Sequence, residues 1–179
     1  MNDWNVVISI YQDGYRQARR ALQKFGPIER TPYHNVLVMK VDDPTALLEA
    51  VERKTEEVPA LYDAVSRVAP ATWTFEFHSA EEFKEKARSI ILESLPRIAG
   101  RSFHVRLHRR GPGHELESLK AERFLDDVLL DAAKETGKPS RIAFTDPDAV
   151  VAIDTVDDRA GVALWMREDL EQHRLLRPD

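Results

Sequence analysis

The sequence of 179 residues predicts an α+β protein built from two halves. Short apolar runs rich in β-branched residues alternate along the chain with amphipathic helical patterns. Hydrophobic residues make up 42% of the chain and charged residues 32%, which is typical of a folded globular protein. A chain of this length is long enough to bury one core or two smaller ones.

The first half has the element order β-α-β-β-α-β. Gly26-Pro27 ends the first predicted helix, and Asp43-Pro44 opens the second with an N-cap and a proline at the first helical position. The predicted elements are strand 4–10, helix 14–25, strands 28–31 and 35–41, a helix from 44 to about 59, and strand 65–77. This order is the split pattern of ferredoxin-like domains, so residues 1–78 are predicted to form one such domain.

The second half begins with a capping box, Ser79 and Glu82, in which each residue satisfies an amide at the start of a helix. Pro96 and Gly100 stop this helix, and Gly137 closes a later, longer one. The predicted elements are a strand ending at 108, a helix over about 115–136, strands 141–144, 149–156 and 161–166, and a short tail helix over 167–176. Residues 79–179 are therefore predicted to form a second domain, packed against the first because no linker separates them.

Composition excludes several classes of function. The chain contains no cysteine, which rules out disulfides, thiolate metal sites and cysteine nucleophiles. It has no apolar run near the roughly 18–20 residues of a membrane span and no secretory signal, so a cytoplasmic protein is expected. Its net charge is −5, so any surface that binds nucleic acid has to be a local patch.

Such a patch is predicted around the strand that ends at residue 108. Five arginines and three histidines lie between residues 97 and 114, before the first acid, Glu115. Arginine suits phosphate recognition because its planar fork donates two parallel hydrogen bonds. The alternative is a solvated strand edge with ordinary salt bridges. The candidate RNA-binding residues are Arg97, Arg101, His104, Arg106, His108, Arg109, Arg110, Lys120, Arg123, Lys138 and Arg141.

Within this set, Arg106 shares a strand face with His104 and His108, so the three side chains should project together. Arg106, Arg109 and Arg110 are predicted to be exposed and to make the strongest contacts. The two histidines lack a third ligand and stand among arginines, so no metal site is predicted. Gly111-Pro112-Gly113 lacks the Gly-Lys-Ser/Thr of a phosphate loop and is expected to be a turn.

No catalytic residues and no cofactor are predicted. The sequence has no nucleophile elbow, no dinucleotide fingerprint and no zinc-protease motif. Asp146 and Asp148 flank a proline, which is typical of turn and cap chemistry. The chain is therefore expected not to be an enzyme.

The second half resembles the THUMP domain, an RNA-binding module of tRNA thiolation, methylation, deamination and acetylation systems. The resemblance rests on Phe103-His104-Val105-Arg106 with Arg109-Arg110, the long helix that follows, and the runs 141–148, 150–153 and 161–164. Phe144-Thr145-Asp146 departs from the usual Asp-Leu-x-Asn of the family. The first half is similar to the ferredoxin-like domain that precedes THUMP, in particular in the single-THUMP partner proteins of tRNA cytidine acetyltransferase.

This resemblance implies an α/β THUMP domain that binds the tRNA acceptor stem and 3′ end without catalysis. A tRNA-modifying enzyme would then be supplied in trans, and neither DNA nor membrane is an expected partner. Two alternatives stay open at this point. One is a protein-interaction or assembly module with negligible RNA affinity, which would use its acidic helix flanks. The other is a small enzyme with a pocket lined by Asp146, Asp148 and a histidine.

Overall fold

The computed structural model describes residues 1–111 and 115–178 as a mixed α+β protein with two sheets. The chain divides into two compact units. The first unit comprises Met1–Thr72 together with Gln172–Arg177, and the second comprises Trp73–Glu171 together with Pro178.

The first unit is a four-stranded sheet with helices. Its strands are β1 (Val6–Ile10), β2 (Ile28–Arg30), β3 (Val36–Met39) and β4 (Val65–Pro70), and its helices are α1 (Tyr15–Leu22), α2 (Pro44–Glu57) and α3 (Pro59–Tyr62). The strand order is β2-β3-β1-β4, and all neighbouring strands are antiparallel. Asp43 caps α2 as predicted, because its Oδ1 accepts a hydrogen bond of 3.0 Å from the backbone N–H of Ala46.

The segment Gln172–Arg177 is tied to the first unit by hydrogen bonds. The backbone N–H of Val68 donates to the carbonyl oxygen of Leu175 over 2.8 Å. The guanidinium Nε of buried Arg67 donates to the carbonyl oxygens of Leu176 and Arg177. Contacts between residues this far apart in sequence place the end of the chain beside β4.

The second unit is a five-stranded sheet with order β5-β9-β8-β6-β7. Its strands are β5 (Trp73–Glu76), β6 (Ser102–His108), β7 (Arg141–Ile142), β8 (Ala149–Val156) and β9 (Arg159–Met166), and its helices are α4 (Ala80–Ile91), α5 (Leu95–Ile98), α6 (Ser118–Glu135) and α7 (Arg167–Gln172). Strand β6 is parallel to β7 and β8, and the remaining pairs are antiparallel. Phe103, Val105 and Leu107 on β6 are buried in one core with side chains of α4 and α6.

One predicted strand is wrong. The alternating run 65–77 forms two strands in two sheets, since β4 pairs with β1 whereas β5 pairs with β9. Alternation of apolar and polar residues reports only that a segment is extended and half buried. It carries no information about the sheet to which the segment belongs, and the chain changes sheets between Pro70 and Trp73.

Other local predictions are confirmed. Ser79 Oγ accepts from the N–H of Glu82 over 3.0 Å, and Glu82 reaches back to the N–H of His78 over 2.8 Å. Helix α6 starts at Ser118, three residues after the predicted position.

Pro112 and Gly113 of the predicted turn lie outside the described residues. No helix in the described part of the chain is long and apolar enough to cross a membrane.

Candidate nucleic-acid interface

Four cationic residues gather where β6 and β7 begin, and we call them the β6–β7 basic cluster: Arg97, Arg101, Lys138 and Arg141. The segments that carry them are joined by backbone hydrogen bonds, from Gly100 N–H to the Lys138 carbonyl (2.9 Å) and from Arg141 N–H to the Arg101 carbonyl (3.3 Å). Arg97 lies just before them on α5. All four side chains are exposed. None of them forms a salt bridge with another described residue.

Two acids in the loop that follows β7 have partners of their own. Arg167 forms salt bridges with Asp146 over 3.0 Å and with Asp148 over 3.2 Å. The Asp148 carboxylate also accepts hydrogen bonds from the backbone N–H and hydroxyl of Ser102. These interactions lower the pKa of Asp148, with the Ser102 N–H as the largest cause and smaller effects from Arg167 and Arg141. Asp146, with a φ of 48°, lies in a turn as predicted. Asp148 differs from the prediction, because it binds Ser102 on β6 and Arg167 and caps no helix.

The other end of β6 carries a separate group of basic residues. Arg110 Nη1 lies 2.9 Å from Asp154 Oδ1, and the two side chains are only 16% and 6% exposed. The prediction that Arg110 is exposed is therefore wrong, because the buried Asp154 carboxylate on β8 holds the guanidinium. Arg109 is exposed and donates to the carbonyl oxygen of Gly111. His108 Nε2 lies 2.6 Å from the carbonyl oxygen of Pro178.

His104 and Arg106 do not form a joint exposed face with His108. His104 is only 4% exposed, and its Nδ1 lies 3.0 Å from the carbonyl oxygen of Ala143. Arg106 is exposed, with its Nη1 3.8 Å from Glu122 Oε1. The three residues do alternate with the core residues of β6, as predicted. Burial differs among them, however, and His104 is not accessible at the surface.

Two acids of α6 bind the edge of β6, and the sequence reasoning missed them. Glu122 Oε1 accepts from the N–H of Leu107 (2.8 Å), and Asp126 Oδ1 accepts from the N–H of Val105 (2.9 Å). These amides lie beyond the part of β6 that pairs with β7. Burial raises the pKa of Asp126 to about 7, and the charges of Glu122 and Asp127 add to the effect. The sequence did carry one sign of these contacts. Glu122 and Asp126 are four residues apart, which places both on one face of α6 beside its apolar stripe.

Lys120 and Arg123, on the first turns of α6, are both exposed. Lys120 forms a salt bridge of 2.7 Å with Glu117. Arg101 and Arg109 flank β6 at opposite ends, and at the usual rise of a strand they are about 25 Å apart. The candidates therefore form no single strip but two groups, and the β6–β7 basic cluster is the one without salt bridges among the described residues.

No group of three or more potential metal ligands comes together among the described residues. No protein-family model matches the sequence, and no curated protein matches it significantly.

Solved structures do match the fold. PH1313 from Pyrococcus horikoshii Ot3 is 16% identical with a TM-score of 0.59, covering 90% of this chain and 54% of that one. TrmN from Thermus thermophilus is 18% identical with a TM-score of 0.58, covering 90% and 44%. A 4-thiouridine synthetase in complex with RNA and ATP is 14% identical with a TM-score of 0.55, covering 91% and 41%. This chain therefore spans about half the length of these proteins, or less.

These matches correct the expectation that the chain is not an enzyme and acts as a non-enzymatic adaptor. Further matched structures are of proteins described as methylases or, with SAH bound, as a methyltransferase, with TM-scores of 0.52 to 0.55. The chain thus shares its fold with enzymes, and lack of a catalytic motif in the sequence did not justify the opposite conclusion. At the level of the fold, the likeness is consistent with the THUMP-like domain predicted from the sequence.

Proposed function

We propose that the second unit binds RNA, with tRNA as its ligand, and serves as the substrate-recognition part of an RNA-modifying enzyme. The observation that carries the proposal is the β6–β7 basic cluster. It places four exposed cations, none salt-bridged to a described residue, on two adjacent segments of a chain whose net charge is −5. The fold likeness to a 4-thiouridine synthetase bound to RNA supports the same proposal.

The physical basis is phosphate recognition. Three of the four residues are arginines, which bind phosphate oxygens in a bidentate manner, whereas Lys138 acts as a point charge. RNA helices are recognised by shape, phosphates and 2′-hydroxyls, which requires cations in a fixed arrangement and no base-reading helix. The acidic remainder of the surface repels RNA and thereby favours encounters at the cluster.

The proposal also assigns a domain type to each of the two units. The strand order β2-β3-β1-β4 with antiparallel neighbours supports a ferredoxin-like arrangement of the first unit. We propose that the first unit acts as a ferredoxin-like domain and the second as a THUMP RNA-binding domain, with the boundary after Thr72 and not after residue 78 as predicted.

The chemistry performed on the RNA is a separate proposal. The sequence resemblance implies a link to cytidine acetylation, whereas the matched solved structures include methylases and a thiouridine synthetase. Mass spectrometry of tRNA nucleosides from cells with and without the protein distinguishes these modifications. Loss of acetylcytidine alone would support the acetylation link, and loss of a methylated or thiolated nucleoside alone would contradict it.

Replacing Arg101, Lys138 and Arg141 together by alanine should weaken tRNA binding by about a hundred-fold at low salt. Three lost phosphate contacts should also reduce the slope of log affinity against log salt by about 2 to 3. Fluorescence anisotropy with folded tRNA across a salt series measures both quantities. Thermal unfolding should change little, because all three side chains are exposed.

The matched control removes three exposed arginines from α1, namely Arg16, Arg19 and Arg20. This variant loses the same three positive charges as the cluster variant, but from the first unit. A wild-type protein that binds no tRNA at low salt would refute the proposed function. An equal loss in both triple variants would show that net charge, and not the cluster, determines affinity.

A further inference from the structure

Phe144 is the most exposed large hydrophobic residue in the described part of the chain. Its exposed fraction is 73%, against 59% for Leu119 and 52% for Tyr62. It follows β7 at the point where the sequence departs from the pattern of the resembled family. Because most of the ring is exposed to solvent, burial in the core does not explain why a large apolar side chain stands here.

Phe144 is nevertheless held in place. Its ring centroid lies 5.5 Å from that of His104, with the two planes tilted by 47°. His104 is buried, and its Nδ1 lies 3.0 Å from the carbonyl oxygen of Ala143, the residue before Phe144. The N–H of Ala143 in turn donates to the carbonyl oxygen of Phe103 over 3.0 Å. A buried histidine and a backbone hydrogen bond therefore support an exposed aromatic ring.

The segment that carries the ring is joined to the β6–β7 basic cluster. Arg141 precedes Phe144 by three residues, and backbone hydrogen bonds join this segment to Arg101 of the β6–β7 basic cluster. The acids that follow in the same loop, Asp146 and Asp148, are engaged by Arg167. A fixed aromatic face beside cations without salt bridges to described residues matches a ligand that combines flat rings with negative charge.

We propose that Phe144 stacks on an unpaired nucleobase of RNA whose neighbouring phosphates lie on the β6–β7 basic cluster. This inference rests on the proposed RNA-binding function and assigns one contact within it. Unpaired bases stack on aromatic side chains, and such stacking tolerates any base because each has a π face. His104 is a positioning residue in this arrangement, because it orients the ring and the carbonyl before it.

A protein partner fits the same surface less well. Protein interfaces are organised around a contiguous apolar patch with a buried centre. Phe144 is followed by exposed Thr145 and Asp146, so the ring stands alone among polar residues. A single ring flanked by cations suits a nucleotide better than an apolar anchor.

The test compares an RNA hairpin that carries a short single-stranded 3′ extension with the same hairpin lacking it. We expect Phe144→Leu to weaken binding of the extended hairpin by about ten-fold, the usual effect of losing one stacked base, and to leave the blunt hairpin unchanged. Phe144→Trp should retain the affinity. Leu119→Ala, at another exposed apolar residue of the second unit, is the matched control and should bind both hairpins normally.

A direct readout of stacking uses 2-aminopurine in the extension, since its fluorescence is quenched when it stacks. Wild-type protein and Phe144→Trp should quench it, and Phe144→Leu should not. If the wild type binds both hairpins but Phe144→Leu changes neither the affinity nor the quenching, the stacking inference is wrong and the proposed function stands. If the wild type binds tRNA but neither hairpin at low salt, the stacking inference is wrong, and if it binds no tRNA either, both are wrong.

Discussion

Replacing Asp154 by alanine should lower the free energy of unfolding by about 3 kcal/mol, because it leaves the Arg110 guanidinium without its carboxylate in a mostly buried position. Arg110→Ala should have a comparable cost for the reciprocal reason. Urea denaturation of the full chain at neutral pH measures both effects. Arg109→Ala is the matched control, since this side chain is exposed and should change stability by less than about 0.5 kcal/mol.

The same variants separate a structural role of Arg110 from a role in RNA binding. The Arg110 backbone N–H contacts Thr155 Oγ1 at 3.2 Å and its carbonyl accepts from the N–H of Asp157, and alanine keeps both bonds, so a loss of stability in Arg110→Ala reports the pairing with Asp154. We therefore expect Arg110→Ala to reduce stability while tRNA affinity, measured below the unfolding range, falls by much less than for the β6–β7 basic cluster variant. Unchanged stability with a large loss of affinity would instead restore Arg110 as a direct contact.

Replacing Asp126 by asparagine should stabilise the protein at pH 8 by an amount on the order of 3 kcal/mol and have little effect near pH 4. The folded protein holds the Asp126 proton up to a pKa of about 7, against an ordinary aspartate value of 3.8. Between these values the folded state binds more protons than the unfolded state. Stability contributed by this group is therefore present at low pH and is lost as pH rises from about 4 to about 7.

Asparagine keeps the side-chain oxygen that accepts the N–H of Val105 but carries no charge that has to be buried. Asp126→Ala, by contrast, leaves that amide without its partner and should destabilise the protein near pH 4, where the wild type buries no charge at this position. The measurement is the free energy of unfolding from pH 4 to pH 8, with exposed Asp127→Asn as the matched control. A wild-type stability that does not fall over this interval relative to Asp126→Asn would contradict the prediction.

The two carboxylates of α6 also explain how β6 can end its pairing with β7 so early. Only Ser102 and Phe103 of β6 pair with β7. Beyond that point Asp126 and Glu122 accept the amides of Val105 and Leu107, which would otherwise be left without a partner at a strand edge. The short β7 then leaves the loop that carries Phe144 free to present its ring beside the cluster.

The sequence by itself determined those features that depend on contacts between near neighbours. The cap of α2 by Asp43 and the reciprocal bonds around Ser79 and Glu82 each lie within four residues. The connection between the last two strands is equally local, although the sequence predicted strand 161–166 and the structure starts β9 at Arg159, after a two-residue turn with Asp157 at positive φ. The alternation along β6 separates His104, Arg106 and His108 from Phe103, Val105 and Leu107, and the latter three lie in the core.

The tertiary structure alone decided what each polar side chain does, because its partner is distant in sequence. Asp154 binds Arg110, so a cation predicted to face RNA is structural. Asp126 binds the N–H of Val105, a contact that the sequence did not reveal. Arg101 and Arg141 likewise meet only because β6 and β7 pair. Periodicity reports the face of an element on which a residue lies, whereas its partner depends on the arrangement of the elements in space.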